Sequence, residues 1–184
     1  MKIILASSSP RRNEILDLVG IQHETIPSSC IEVIDRSKSI EEIVKSLAYQ
    51  KAMDVFKNHS DDLVIGADTI VKVDNEILGK PKGEADAIRM LQLLQNKTHE
   101  VVTGVSIITK DKQETFYETT FVTFLPLSDE EIKNYLKNEN VYDKAGSYAI
   151  QGSAAKYISK LEGSYYNVMG LPIATLCQKL KEFN

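Results

Sequence analysis

Three cations stand where a water-soluble fold would place an aliphatic side chain. Lys51 lies four residues past Leu47 and four before Val55, inside an apolar stripe that recurs at helical spacing. Arg12 repeats the pattern against Ile15, Leu16 and Val19, and Lys80 is held between Gly79 and Pro81 ahead of another helix. A cation that faces inward needs an anion to face. The other candidate residues bear on which anion that is.

In Ala6-Ser7-Ser8-Ser9-Pro10-Arg11-Arg12 a strand ends, three serines follow and proline opens a helix with two arginines in its first turn. Ser9 is a natural N-cap, and free N–H groups, hydroxyls and guanidinium groups together make an anion pocket. The serines alone read as a plain helix cap; Arg12 on the apolar face tips the balance to phosphate binding. Asp68, in Gly66-Ala67-Asp68-Thr69, interrupts the most hydrophobic strand just past a glycine that lets something approach the backbone. A carboxylate there is partly desolvated and calls for a cation or metal beside it. It reads equally as a general base for water, a Mg²⁺ ligand, or a structural aspartate capping the next turn. Glu32, in a loop with no structural duty, reads as a surface carboxylate or as the second ligand of a divalent metal. In Asp143–Gly152 two glycines bracket an aromatic–apolar strand that ends in Gln151, whose amide could read a pyrimidine edge or simply close a turn.

The elements that position these residues alternate between strand and helix patterns. Residues 2–6 read as a strand, 10–20 as a helix ending at Gly20, and Ile21–Ile26 as a second strand. A long helix is predicted over 40–57, with Ser39 and Glu42 forming a capping box. The apolar run Leu63–Ala67 suits a buried central strand, and Ile70–Val73 continue extended to a turn at Asp74-Asn75. A helix over 84–95 precedes a hairpin of His99–Thr109 with Thr115–Leu125. Ser128 starts an acidic-ended helix, and Pro172–Phe183 a terminal helix with proline at N1. This is an α/β chain with a mixed sheet, expected as one unit over its 184 residues.

A net charge of −4 argues against binding of nucleic-acid polymers or anionic membranes, so the inward cations serve a local site. No apolar run approaches the ~20 residues of a membrane span. Cys30 and Cys177 stand far apart, and His23, His59 and His99 share no motif. Two reduced cysteines in a cytoplasmic protein, without a zinc site, is the favoured reading.

Taken in order, Leu5–Arg12, Gly66–Val71, Gly79–Pro81, Val102–Val105, Asp143–Gly146 with Ile150–Gly152, and Gly163–Tyr165 with Val168–Pro172 resemble the motifs of the Maf family of nucleoside triphosphate pyrophosphatases. The resemblance implies an elongated α/β fold with two lobes around a cleft, similar to inosine triphosphate pyrophosphatases. It implies hydrolysis of a nucleoside triphosphate to monophosphate and pyrophosphate with a divalent cation (Mg²⁺, Mn²⁺ or Co²⁺), and a homodimer. Position by position, Asp68 matches the proton acceptor, and Ser7, Arg12, Glu32, Lys51 and Lys80 the phosphate- and metal-handling set. Arg11, Thr69 and Gln151 match positions that distinguish the family's branches. The Lys144-Ala145-Gly146 and Ile150-Gln151-Gly152 forms resemble the branch acting on dTTP and UTP rather than the one preferring 7-methyl-GTP. Cys30-Ile31-Glu32-Val33 matches only loosely. The family is also linked to restraint of septum formation, which leaves a nucleotide-binding regulator without turnover as the alternative from another class.

Overall fold

The computed structural model describes residues 1–183. Its elements are β1 (Ile3–Ala6), α1 (Pro10–Leu18), β2 (Glu24–Thr25), α2 (Ile40–Phe56), β3 (Leu63–Val73), β4 (Glu76–Leu78), α3 (Glu84–Leu94), β5 (Thr98–Ile108), β6 (Gln113–Phe124), α4 (Asp129–Asn138), β7 (Ile158–Glu162), α5 (Tyr165–Met169) and α6 (Ile173–Leu180). Among the described residues seven strands form one sheet in the order β2-β1-β3-β5-β6-β7, with β4 beside β3. β1 runs parallel to β2 and β3, while β4 on β3 and β7 on β6 are antiparallel. The sheet is therefore mixed, as the alternating strand and helix patterns require. The chain divides into two compact units.

The first unit comprises Met1–Thr69, Thr103–Glu118 and the residues from Gly170 onward. β1 and the first half of β3 are apolar runs buried on both faces, paired Ile4 to Val64 and Ala6 to Gly66. The capping box on α2 forms as expected: Ser39 accepts from the Glu42 N–H and the Glu42 side chain accepts from the Ser39 N–H. α2 buries Ile40, Ile43, Val44, Leu47, Ala48, Ala52 and Val55. Each fully buried Ile, Leu or Val contributes about 1.5–3 kcal/mol.

The helix backbone reaches the sheet itself. A Cβ added at Gly66 would lie 2.3 Å from the Ala48 carbonyl oxygen and 2.7 Å from the Ala52 nitrogen. One added at Gly104 would lie 2.3 Å from the Val44 carbonyl oxygen. What approaches the backbone at Gly66 is thus α2.

The second unit comprises Ile70–Val102 and Thr119–Met169. Its core joins Met90, Leu91 and Leu94 of α3 to Ile132 and Tyr135 of α4 and to Val122 and Phe124 of β6. His99, Phe124 and Tyr148 stack edge-to-face, with centroids 4.9–5.4 Å apart. His99 Nε2 meets the Tyr148 hydroxyl at 2.7 Å, and its Nδ1 has no hydrogen-bond partner among the described residues. Burial lowers the His99 pKa to about 4 and raises that of Tyr148.

Several boundaries differ from the sequence expectation. The strand expected over Ile21–Ile26 is confined to Glu24–Thr25: the Ile21 N–H is used in closing the end of α1 on Leu16, and beyond Ile26, which still donates to Leu5, Pro27 brings no N–H to continue the ladder. α1 stops at Leu18, two residues before Gly20. Gly20, at φ +73°, donates to Asp17, and Ile21 donates to Leu16, both at 3.0 Å, closing a Schellman turn that leaves Val19 exposed. Tyr148–Ile150 form no strand; they are buried in the second core without ladder bonds, and Gln151 follows in a turn. Pro172 is the N-cap of α6, one place earlier than expected.

Gly66→Ala should force α2 off the sheet and cost about 2–3 kcal/mol, a fall in Tm of roughly 5–10 °C. Gly79→Ala, with nothing within 4 Å of the new Cβ, should leave Tm unchanged. The histidine makes a separate expectation. His99 is held below its unfolded value of ~6.5, so the unfolded chain binds a proton first and stability falls as pH drops from about 6.5 to about 4. That loss should reach about 3 kcal/mol in urea titrations and be missing from His99→Gln.

Candidate active site

The face of β3 that carries Gly66 also carries Asp68, since side chains two residues apart share a face. On α2, Lys51 lies between Ala48 and Ala52, the residues seated on Gly66. This close seating brings Lys51 Nζ to 2.5 Å from Asp68 Oδ1. The same Nζ lies 3.0 Å from Glu32 Oε1, so one ammonium bridges two carboxylates. The side chains are 17% exposed for Lys51, 14% for Asp68 and 42% for Glu32. The anion that the inward lysine faces is therefore a carboxylate pair. Glu32, the least secure match in sequence, is brought to Asp68 through their shared cation.

Arg12 enters a different set. Its Nε donates to the Gly170 carbonyl at 2.7 Å, Nη1 to Ser7 Oγ at 3.2 Å and Nη2 to Thr69 Oγ1 at 3.0 Å. Thr69 Oγ1 in turn lies 2.9 Å from Thr103 Oγ1. Desolvation lowers the Arg12 pKa to about 10, with Asp68 and Glu32 pulling it back up. The guanidinium stays cationic at neutral pH and feels both carboxylates. Strand alternation turns Thr69 to the face opposite Asp68, so the two sets flank the end of this stretch of β3.

The expected cap on α1 is corrected in one respect. Ser9 occupies the N-cap position, but its hydroxyl makes no cap bond. Pro10 at N1 has no N–H to offer, and buried Ser7 instead takes the Ser9 N–H on its own Oγ at 3.2 Å. Arg11 is half-buried in the first turn of the helix.

The remaining candidates belong to the second unit. Lys80 is exposed in the loop before α3, and the carbonyl of its neighbour Gly79 accepts from the Gly146 N–H at 3.1 Å. Gln151 is exposed in its turn. Lys144 pairs with Asp143 at 2.7 Å. Sequence reasoning gave no role to Thr103 or Gly170, although both sit inside matched motifs; position in those motifs was the available signal.

A divalent cation asks for hard oxygen donors and is commonly held by one or two carboxylates with substrate phosphates. Glu32 and Asp68, converging on one cation already, fit that demand as a two-carboxylate set. Among the described residues no group of three or more His, Cys, Asp or Glu is placed to hold a metal. No described helix is long and apolar enough to cross a membrane.

Comparison with known proteins gives the chain its relatives. The chain is 55% identical over 183 residues to a Bacillus cereus (strain AH820) protein named dTTP/UTP pyrophosphatase, covering 100% of this chain and 96% of the relative. A protein of the same name from Bacillus anthracis is 54% identical with the same coverage. Among solved structures, the Staphylococcus aureus Ham1 protein aligns over 100% of both chains with a TM-score of 0.58 at 17% identity, a likeness of fold. The family described as Maf-like protein matches residues 2–183, and the chain belongs to it.

Proposed function

We propose that this chain hydrolyses dTTP and UTP to the monophosphate and pyrophosphate. The observation that carries the chemistry is the Asp68 carboxylate held at 2.5 Å by Lys51 at the end of an apolar strand run, with Glu32 on the same ammonium. The choice of nucleotide rests on the full-length likeness to relatives named for those substrates.

In this reading a water oxygen bonds to the α-phosphorus as the bond to the β-phosphate bridging oxygen breaks, and pyrophosphate leaves with that oxygen. Lys51 fixes one Asp68 oxygen, and the other accepts the proton of the attacking water. Arg12 is pre-oriented by Gly170, Ser7 and Thr69 and presents its charge without reorganisation as negative charge builds on the phosphates. A divalent cation (Mg²⁺, Mn²⁺ or Co²⁺) held by Glu32 and Asp68 would neutralise phosphate oxygens.

By the family likeness, Lys80 serves the phosphate oxygens, and Arg11, Thr69 and Gln151 set nucleotide choice. The same likeness supports a cytoplasmic homodimer acting in nucleotide-pool cleansing and restraint of septum formation, with residues 1–184 as one functional domain.

Purified protein assayed for pyrophosphate release should turn over dTTP and UTP well ahead of 7-methyl-GTP. Asp68→Asn should lose roughly 10²-fold or more of that rate, on the order expected for a missing general base, while Tm stays within a few degrees. Residual turnover above a tenth would remove Asp68 from the role. Nucleotide binding without pyrophosphate release would favour a regulator.

A further inference from the structure

Residues 26–39 join β2 to α2 with no regular element, and Ile31 (91% exposed), Val33 and Ile34 contribute no core. Glu32 therefore owes its position to polar contacts. Two of these come from Gln50 and Asp54, four residues apart on one stripe of α2 that begins at Ser46. Asp54 Oδ2 accepts from Ser28 Oγ and from the Ser29 N–H, both at 2.9 Å, and anchors the start of the loop. Gln50 does more. Its Oε1 accepts from the Val33 N–H at 2.8 Å, and its Nε2 donates to the Val33 carbonyl at 2.9 Å.

A primary amide that both accepts from and donates to one residue imitates the edge of a β-strand. Only one orientation of the amide satisfies both bonds. A third bond, Nε2 to Ser46 Oγ at 3.1 Å, fixes that orientation from within the helix. The adjacency matters most. Val33 follows Glu32 and Gln50 precedes Lys51, so the amide clamp and the Glu32–Lys51 contact at 3.0 Å are neighbouring rungs between the same two segments.

We propose that Gln50 is the positioning residue for Glu32: its carboxamide replaces the missing sheet bonds of the loop and holds the carboxylate beside Lys51 and Asp68. The consequence for metal binding rests on the proposed role of Glu32 as a ligand. Groups that orient a ligating carboxylate typically change metal affinity or activity about 10–100-fold when removed.

The test compares full-length wild type, Gln50→Met, Glu32→Gln and the double variant. Amide hydrogen exchange follows Val33, and electron paramagnetic resonance of free Mn²⁺ gives metal affinity with α,β-methylene-UTP present. Gln50→Met should speed Val33 exchange and raise the Mn²⁺ Kd about tenfold, with Tm within about 3 °C of wild type. In the Glu32→Gln background the same change should add less than about twofold, because it acts through Glu32.

Unchanged Val33 exchange in Gln50→Met, or a full tenfold loss added on top of Glu32→Gln, overturns the proposal. Glu32→Gln with wild-type Mn²⁺ affinity overturns the metal role of Glu32 instead, and Val33 exchange then decides the positioning role alone. If Gln50→Met lowers Tm by more than about 5 °C, Gln50→Glu takes its place; it keeps size and acceptor but cannot donate to the Val33 carbonyl.

Discussion

The candidate site depends on a missing atom. Gly66 and Gly104 carry no Cβ, and α2 settles onto the strands at those points until its own carbonyl and amide groups occupy the space. Ala48 and Ala52, the smallest side chains that could line the helix there, complete the contact. With the helix pinned at this height, Lys51 has one place to go, and Asp68 is already in it. An ion pair this withdrawn from water is a poor source of stability, because desolvation offsets most of the Coulomb attraction. Its retention inside an apolar stripe fits a chemical use better than a structural one.

The cation on the other face is handled differently. Lys51 is a point charge, and it bridges two carboxylates by standing between them. Arg12 is a fork, and its three bonds go to neutral acceptors, the Gly170 carbonyl and the Ser7 and Thr69 hydroxyls. Those bonds aim the guanidinium without cancelling its charge. Two cations with opposite arrangements thus flank the end of one strand run: one neutralised by two carboxylates, the other held by neutral acceptors with its charge uncancelled.

What the sequence disclosed follows the range of each interaction. The capping box at Ser39 is local and forms as read, and the helix start read at Ser128 proves to carry a second box with Glu131. The apolar stripe identified Lys51 as an inward cation, and that reading stands. Its carboxylate partners in the fold lie 17 and 19 positions away, and periodicity says nothing about pairing over that distance. Gly66 was legible as a point of close approach, but the nature of the approaching body was not, since only the tertiary fold decides between a helix and a ligand. Arg12 and Gly170 are 158 residues apart, and no local rule could join them. Tyr148–Ile150 looked like a strand because buried aromatic and aliphatic residues satisfy the same pattern; the second core takes their side chains without using their backbone for pairing.

The central claim is that water attacks the α-phosphorus of a pyrimidine nucleoside triphosphate, with Asp68 taking the proton. Hydrolysis of UTP in ¹⁸O-labelled water, followed by ³¹P NMR isotope shifts, locates the new bond directly. One ¹⁸O is expected in the phosphate of UMP, with the pyrophosphate unlabelled. Label in the pyrophosphate, or release of orthophosphate in place of pyrophosphate, would contradict that claim.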